Sequence, residues 1–171
     1  WSSEIIYFLN QQRSLLALQK AEKMKKQAFA DRYPYGIFSC IRTMGHIYKS
    51  RGNFDLSAQY YQEALDYMLK NMPDQDPSQL YSSLAEYYRN TQKDYATALD
   101  YCEKALKSAK TERNIAQAMI EKCLVLFRQG RIDEFNDCYK EAVQMADRCK
   151  LSASVSLLMA HINKNILDKQ Y

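Results

Sequence analysis

The sequence predicts an all-α protein, a right-handed superhelical array of antiparallel helix pairs with about nine helices. Three observations lead there. Only four Gly and three Pro occur in 171 residues, too little turn punctuation for an all-β fold. Apolar residues make up 47% and charged residues 26%, the balance of a folded chain rather than a disordered one. A pattern of small and aromatic residues also recurs with a period of about 40 residues, the mark of stacked helical units.

The period is visible when "MGHIYKSRGNFDLSAQYYQEAL" (residues 44–65) is laid over "LAEYYRNTQKDYATALDYCEKAL" (84–106), with one extra residue in the second turn. Gly45 then falls on Ala85, Tyr48 on Tyr88, Phe54 on Tyr95, Ser57 on Ala98, Tyr61 on Cys102 and Ala64 on Ala105. A third copy, "KCLVLFRQGRIDEFNDCYKEAV" (122–143), places Cys123, Leu126, Gly130, Ile132, Phe135, Tyr139 and Ala142 in those slots. A partial copy at the start carries Trp1, Ile5, Phe8, Ala17, Ala21 and Met24. Paired helices that cross closely need small residues at the contact, and aromatic rings fill the volume around it.

The elements follow in order as helices over 2–11, 14–31, 35–51, 54–72, 76–91, 94–109, 111–129, 131–149 and 151–168. Pro34, Pro73 and Pro77 all fall between helical pairs, where a missing N–H costs nothing. Gly52 and Gly130 fall at the bends within pairs, where a positive φ is needed. Asp55 and Asp133 open the second helices, next to the positive end of the helix dipole.

These slots resemble the tetratricopeptide repeat, with its W-x2-L-G-x2-Y, A, F, A, P pattern. Trp1, Ile41, Tyr81 and Met119 take the tryptophan slot; Gly45, Ala85 and Cys123 the glycine slot; Tyr48, Tyr88 and Leu126 the tyrosine slot; Ala64, Ala105 and Ala142 the last alanine. Departures are Ser57 and Phe135 in the first alanine slot, Lys122 in the leucine slot, and no closing proline in three copies. The resemblance implies an α-solenoid forming a single array over 1–171, with repeats at about 1–33, 34–74, 75–111 and 112–150 and a final helix at 151–168. The start at Trp1 and the helical pattern near Tyr171 lead us to expect a fragment of a longer protein.

Composition narrows the chemistry. The net charge of +4 is small and evenly spread, so no nucleic-acid partner is expected. No run approaches 18 apolar residues, so no membrane insertion by this segment is expected. Five cysteines at 40, 102, 123, 138 and 149 form no C-x-x-C pair. They read as small apolar core residues and structural thiols, with Cys40 and Cys149 outside the predicted core slots. There is no H-E-x-x-H, G-x-S-x-G or phosphate loop, and the two histidines, His46 and His161, lie far apart. No enzyme activity, metal or cofactor is expected.

Binding is the expected function. A superhelix of helical pairs presents a concave face lined by the first helix of each pair. The inward polar positions are Arg42, His46 and Lys49, then Gln79, Ser82, Glu86, Arg89 and Asn90, then Gln117, Glu121 and Arg128. Arg42, His46 and Lys49 share one helical face at i, i+4 and i+7, with Arg89 expected nearby. That face reads either as a site for an anion or peptide carboxylate, or as an ordinary solvated stripe. Ile120, Leu124 and Phe127 read either as a pocket for an apolar side chain or as the seat of a covering helix. In tetratricopeptide domains that clamp peptide C-termini, a Lys and paired Asn residues hold fixed slots; here Arg42, Thr43, His46, Ser82 and Ser83 stand there, so that clamp is not expected.

The stretch "AEKMKKQAFADRYPYGIFSCIRTMGHIYKSRGNFDLSAQYYQEAL" resembles the tetratricopeptide sensor regions of bacterial membrane-bound regulators, of the sensor histidine kinase type. That resemblance implies a sensing or docking role in signal transduction, on the periplasmic side of a membrane-anchored protein. A histidine kinase or DNA-binding output domain would then lie elsewhere in that protein. A peptide or protein segment is the implied partner, and a homodimer is left open. A cytoplasmic peptide-responsive regulator, which the cysteines favour, and an assembly scaffold are the alternatives.

Overall fold

The computed structural model describes residues 14–151, and these form seven α-helices. In chain order they are α1 (Ser14–Ala30), α2 (Pro34–Ser50), α3 (Phe54–Asn71), α4 (Ser78–Tyr87), α5 (Tyr95–Ser108), α6 (Glu112–Gln129) and α7 (Ile132–Arg148). No strand occurs among the described residues. The predicted helices over 2–11 and 151–168 fall outside the described residues, apart from Leu151. The chain divides between Gln75 and Asp76 into two compact units, next to the repeat boundary expected at 74/75.

In the first unit α2 packs on both α1 and α3. Ala17 and Ala21 of α1 meet Met44 and Ile47 of α2, with Tyr60 of α3 packed against them. The α2–α3 crossing is set by Gly45. A Cβ there would lie 2.6 Å from Cε1 of Tyr61, a ring only 2% exposed. Only a residue without a side chain lets the ring sit so close to the helix. Asn53 caps α3, its Oδ1 accepting from the Leu56 N–H at 3.2 Å, and Asp55 lies in the first turn.

In the second unit α4 packs on α5 and α6, α5 on α6, and α6 on α7. Ala85, Ala98, Cys102 and Val125 form one core cluster; Met119, Cys123, Leu126, Phe135, Ala142 and Ala146 belong to another. Side chains buried to this degree contribute about 1.5–3 kcal/mol each for Val- to Phe-sized residues. Asp94 and Thr111 cap α5 and α6 through side-chain oxygens. Asp76 ties the start of α4 to the α5–α6 connection: Oδ1 accepts from the Ser78 N–H, and Oδ2 accepts from the Lys110 N–H and Asn114 Nδ2, each at 2.8–2.9 Å.

The bends repeat at the level of single hydrogen bonds. The carbonyls of Tyr48, Tyr88 and Leu126 accept from the N–H groups of Asn53, Asp94 and Arg131 at 3.0–3.1 Å. Gly52 and Gly130 take φ of +74° and +78°, and Lys93 fills the same role at +57°. The first helix of the middle repeat was expected to run unbroken over 76–91. Instead α4 gives way at Tyr88–Gln92 to a π-helical turn, which carries one more residue per turn and absorbs the extra residue of that copy.

Candidate functional site

On α2, three of the expected residues share a face, each supported differently. Arg42 is half-buried; its guanidinium carbon lies 5.5 Å from the centre of the Phe38 ring, and its Nε is buried without a hydrogen-bond partner. Among the described residues no carboxylate pairs with Arg42. His46 is exposed, but Nδ1 lies 3.0 Å from the Tyr61 hydroxyl and the two rings meet edge to face. Lys49 is half-buried one turn further on.

In the second unit the expected residues of α4, the π turn and α6 converge differently. Arg89 does not stand ready for a ligand. It is 5% exposed, and its Nε and Nη2 donate to Glu121 Oε1 and Oε2 at 2.7 and 3.3 Å, while Nη1 donates to Asn90 Oδ1 at 2.7 Å. The forked geometry satisfies a nearly buried guanidinium, and removing either partner would strand the other. The sequence marked Arg89, Asn90 and Glu121 as inward polar positions but missed their mutual pairing. The extra residue that produces the π turn was the available signal. Gln79 is exposed, its Nε2 donating to Asn114 Oδ1 at 3.3 Å. Ser82, Glu86 and Gln117 are half-buried, and Arg128 is exposed near the end of α6. Ile120 is buried in the α6–α7 core cluster, with Leu124 and Phe127 packed against it.

A second feature escaped sequence reading. The tyrosine slots are filled by stacked rings in two copies: Tyr48 on Tyr60 at 5.3 Å between centroids, and Tyr88 on Tyr101 at 5.4 Å. Burial, then the facing Tyr48 hydroxyl, pushes the Tyr60 hydroxyl above its ordinary pKa; Tyr101 is raised in the same way by burial and Tyr88. In the third copy the corresponding residues are Leu126 and Cys138. There a cleft of about 480 Å³ opens, with Leu106, Met119, Leu126 and Cys138 among its lining residues. Cys138 Sγ lies 3.1 Å from Cys123 Sγ. Cys40, expected outside the core slots, is 3% exposed, because its helix is covered on the α1 side as well as the α3 side.

Among the described residues no group of three or more His, Cys, Asp or Glu side chains is placed to hold a metal ion. None of their helices is long and apolar enough to cross a membrane. Residues 37–111, from α2 to the cap of α6, match the family model of the tetratricopeptide repeat. The match supports a tetratricopeptide-repeat protein, and with it a module for protein–protein interaction. No curated protein matches the chain.

Proposed function

We propose that the chain is a non-catalytic docking module whose α2 face binds an acidic or carboxylate-terminated segment of a peptide or partner protein. One observation carries the reading: Arg42 keeps a buried Nε without an acceptor. An unsatisfied buried donor costs about 1–3 kcal/mol, more when charged, and a ligand carboxylate would offset that cost. The Phe38 ring lies 5.5 Å from the guanidinium carbon, and His46, steadied by Tyr61, adds a polar ring one turn away. In the intact protein this module is the sensing or docking region of a bacterial signal-transduction regulator, on the periplasmic side of the membrane. That assignment is supported by the resemblance of residues 21–65 to sensor regions of that kind. A cytoplasmic peptide-responsive regulator or scaffold is the second reading, favoured by five cysteines held as thiols.

The test is fluorescence anisotropy with a labelled panel of acidic peptides bearing free C-terminal carboxylates, with Arg42→Ala alongside. The variant should weaken binding by about tenfold or more, the loss of one charge-assisted hydrogen bond. Wild-type affinity should fall as salt rises. Undiminished binding by the variant would place the site on another surface.

A further inference from the structure

We propose that Cys138 and Cys123 form a dithiol modification site, in which Cys138 takes a low-molecular-weight disulfide from the cleft and Cys123 resolves the adduct into an internal bridge. Two independent features converge on it, the contact between the sulfurs and the cleft that reaches one of them. The sulfurs stand 3.1 Å apart, across the α6–α7 crossing. A bridge needs them at about 2.05 Å, a closure of roughly one ångström. Access is equally specific. Leu126 and Cys138 stand where the other two copies hold stacked tyrosines, so the missing rings leave the cleft that exposes Cys138.

Access divides the roles, and the direction of the thiol shifts agrees with it. Cys123 is 0% exposed and its thiol donates to Cys138 Sγ; that hydrogen bond first, and burial second, keep its proton on. The same hydrogen bond lowers the Cys138 thiol below its ordinary value; burial opposes the shift, Lys122 of α6 reinforces it, and Glu141 of α7 opposes it. Cys102 of α5 also faces the pair electrostatically, but burial pushes its own thiol far up and keeps it neutral. Cys138, half-buried and lining the cleft, is therefore the attacking sulfur, and Cys123, fully buried behind it, the resolving one.

The reaction balances with the disulfide as oxidant. Cys138 thiolate attacks one sulfur of RSSR, the S–S bond breaks, and RS⁻ leaves and takes up the proton Cys138 had released. Cys123 then loses its proton to solvent and attacks Cys138 Sγ, expelling the second RS⁻, which is protonated in turn. Two cysteine thiols are oxidised and RSSR is reduced to two RSH.

The experiment treats the reduced chain with glutathione disulfide near neutral pH, quenches with acid, and maps peptides by mass spectrometry. Wild type should give a Cys123–Cys138 cross-linked peptide and retain no glutathione. Cys123→Ser, with Cys123→Ala as a second variant, should stop at a glutathione adduct on Cys138. Cys138→Ser should give neither adduct nor bridge at Cys123. Without oxidant, iodoacetamide should modify Cys138 at least about tenfold faster than Cys102 or Cys123, the buried thiols. A bridge between other cysteines, no bridge in wild type, or an adduct forming no faster on Cys138 than on Cys149 would overturn the proposal.

Discussion

At the α2–α3 crossing Tyr48 and Tyr60 stack nearly parallel, 6° between planes, and the Tyr61 ring seals the notch at Gly45. At the α6–α7 crossing the same slots hold Leu126, Cys138 and Cys123, and a cleft opens where the rings would be. Both hairpins still end their first helix with the same carbonyl-to-N–H bond and a left-handed glycine. The bend and the small crossing residue therefore set the helical pair. What fills the aromatic slots decides whether its flank is sealed or reactive.

The comparison can be broken most forcefully at Gly45. Gly45→Leu should cost about 3 kcal/mol, because the Tyr61 ring is buried and its hydroxyl engaged by His46, leaving it nowhere to move. Urea denaturation checks it, with Lys107→Leu, an exposed position, shifting stability by no more than about 0.5 kcal/mol. Equal midpoints for the two variants would mean the crossing is not at Gly45. The next effect comes from giving the first crossing the slots of the last. Tyr48→Leu with Tyr60→Cys should lose about 2 kcal/mol of packing and ring stacking, and should make the introduced thiol open to alkylation. If that thiol stays unreactive, slot volume does not control the cleft.

Smaller effects sharpen the contrast. The α5–α6 connection is held by a carboxylate rather than a glycine, and Asp76→Asn should cost about 1 kcal/mol at neutral pH. Burial alone would raise the Asp76 carboxyl, but hydrogen bonds from Ser78, the Lys110 N–H and Asn114 hold it below its ordinary 3.8. Its folded value being depressed, the contribution is complete above 3.8 and fades as pH falls through the lower folded value. Thermal melts should thus show wild type and Asp76→Asn separated above pH 3.8 and converging only as pH falls below it. Apart from the Lys107→Leu control, the smallest expected change is from Cys138→Tyr, which refills the cleft and should alter stability by less than about 1 kcal/mol, read from urea midpoints. A large loss would show that the cleft cannot accept a ring.

Six of the seven helices were legible to within two residues at each end, and α4 ended four residues early at Tyr87, because small and aromatic slots at helical spacing report on which face is buried but not on where a π turn intervenes. The π turn was half legible: alignment required an extra residue between Tyr88 and Tyr95, but not the conformation that would absorb it. Arg42, His46 and Lys49 were legible as one face, since i, i+4 and i+7 neighbours follow from helix geometry alone. The support beneath them was not, because Tyr61 lies on a different helix.

The sequence by itself determined the helical pairs, their bends and their small crossing points, all of which depend on neighbours within a turn or on a period that repeats along the chain. Only the tertiary structure decided that Arg89 is consumed by Glu121 while Arg42 Nε has no acceptor, and that Cys123 and Cys138 touch. Those outcomes hang on distances of a few ångströms between helices. Hydrogen bonding and thiol chemistry fall off within such distances, and a one-dimensional pattern of slots does not specify them.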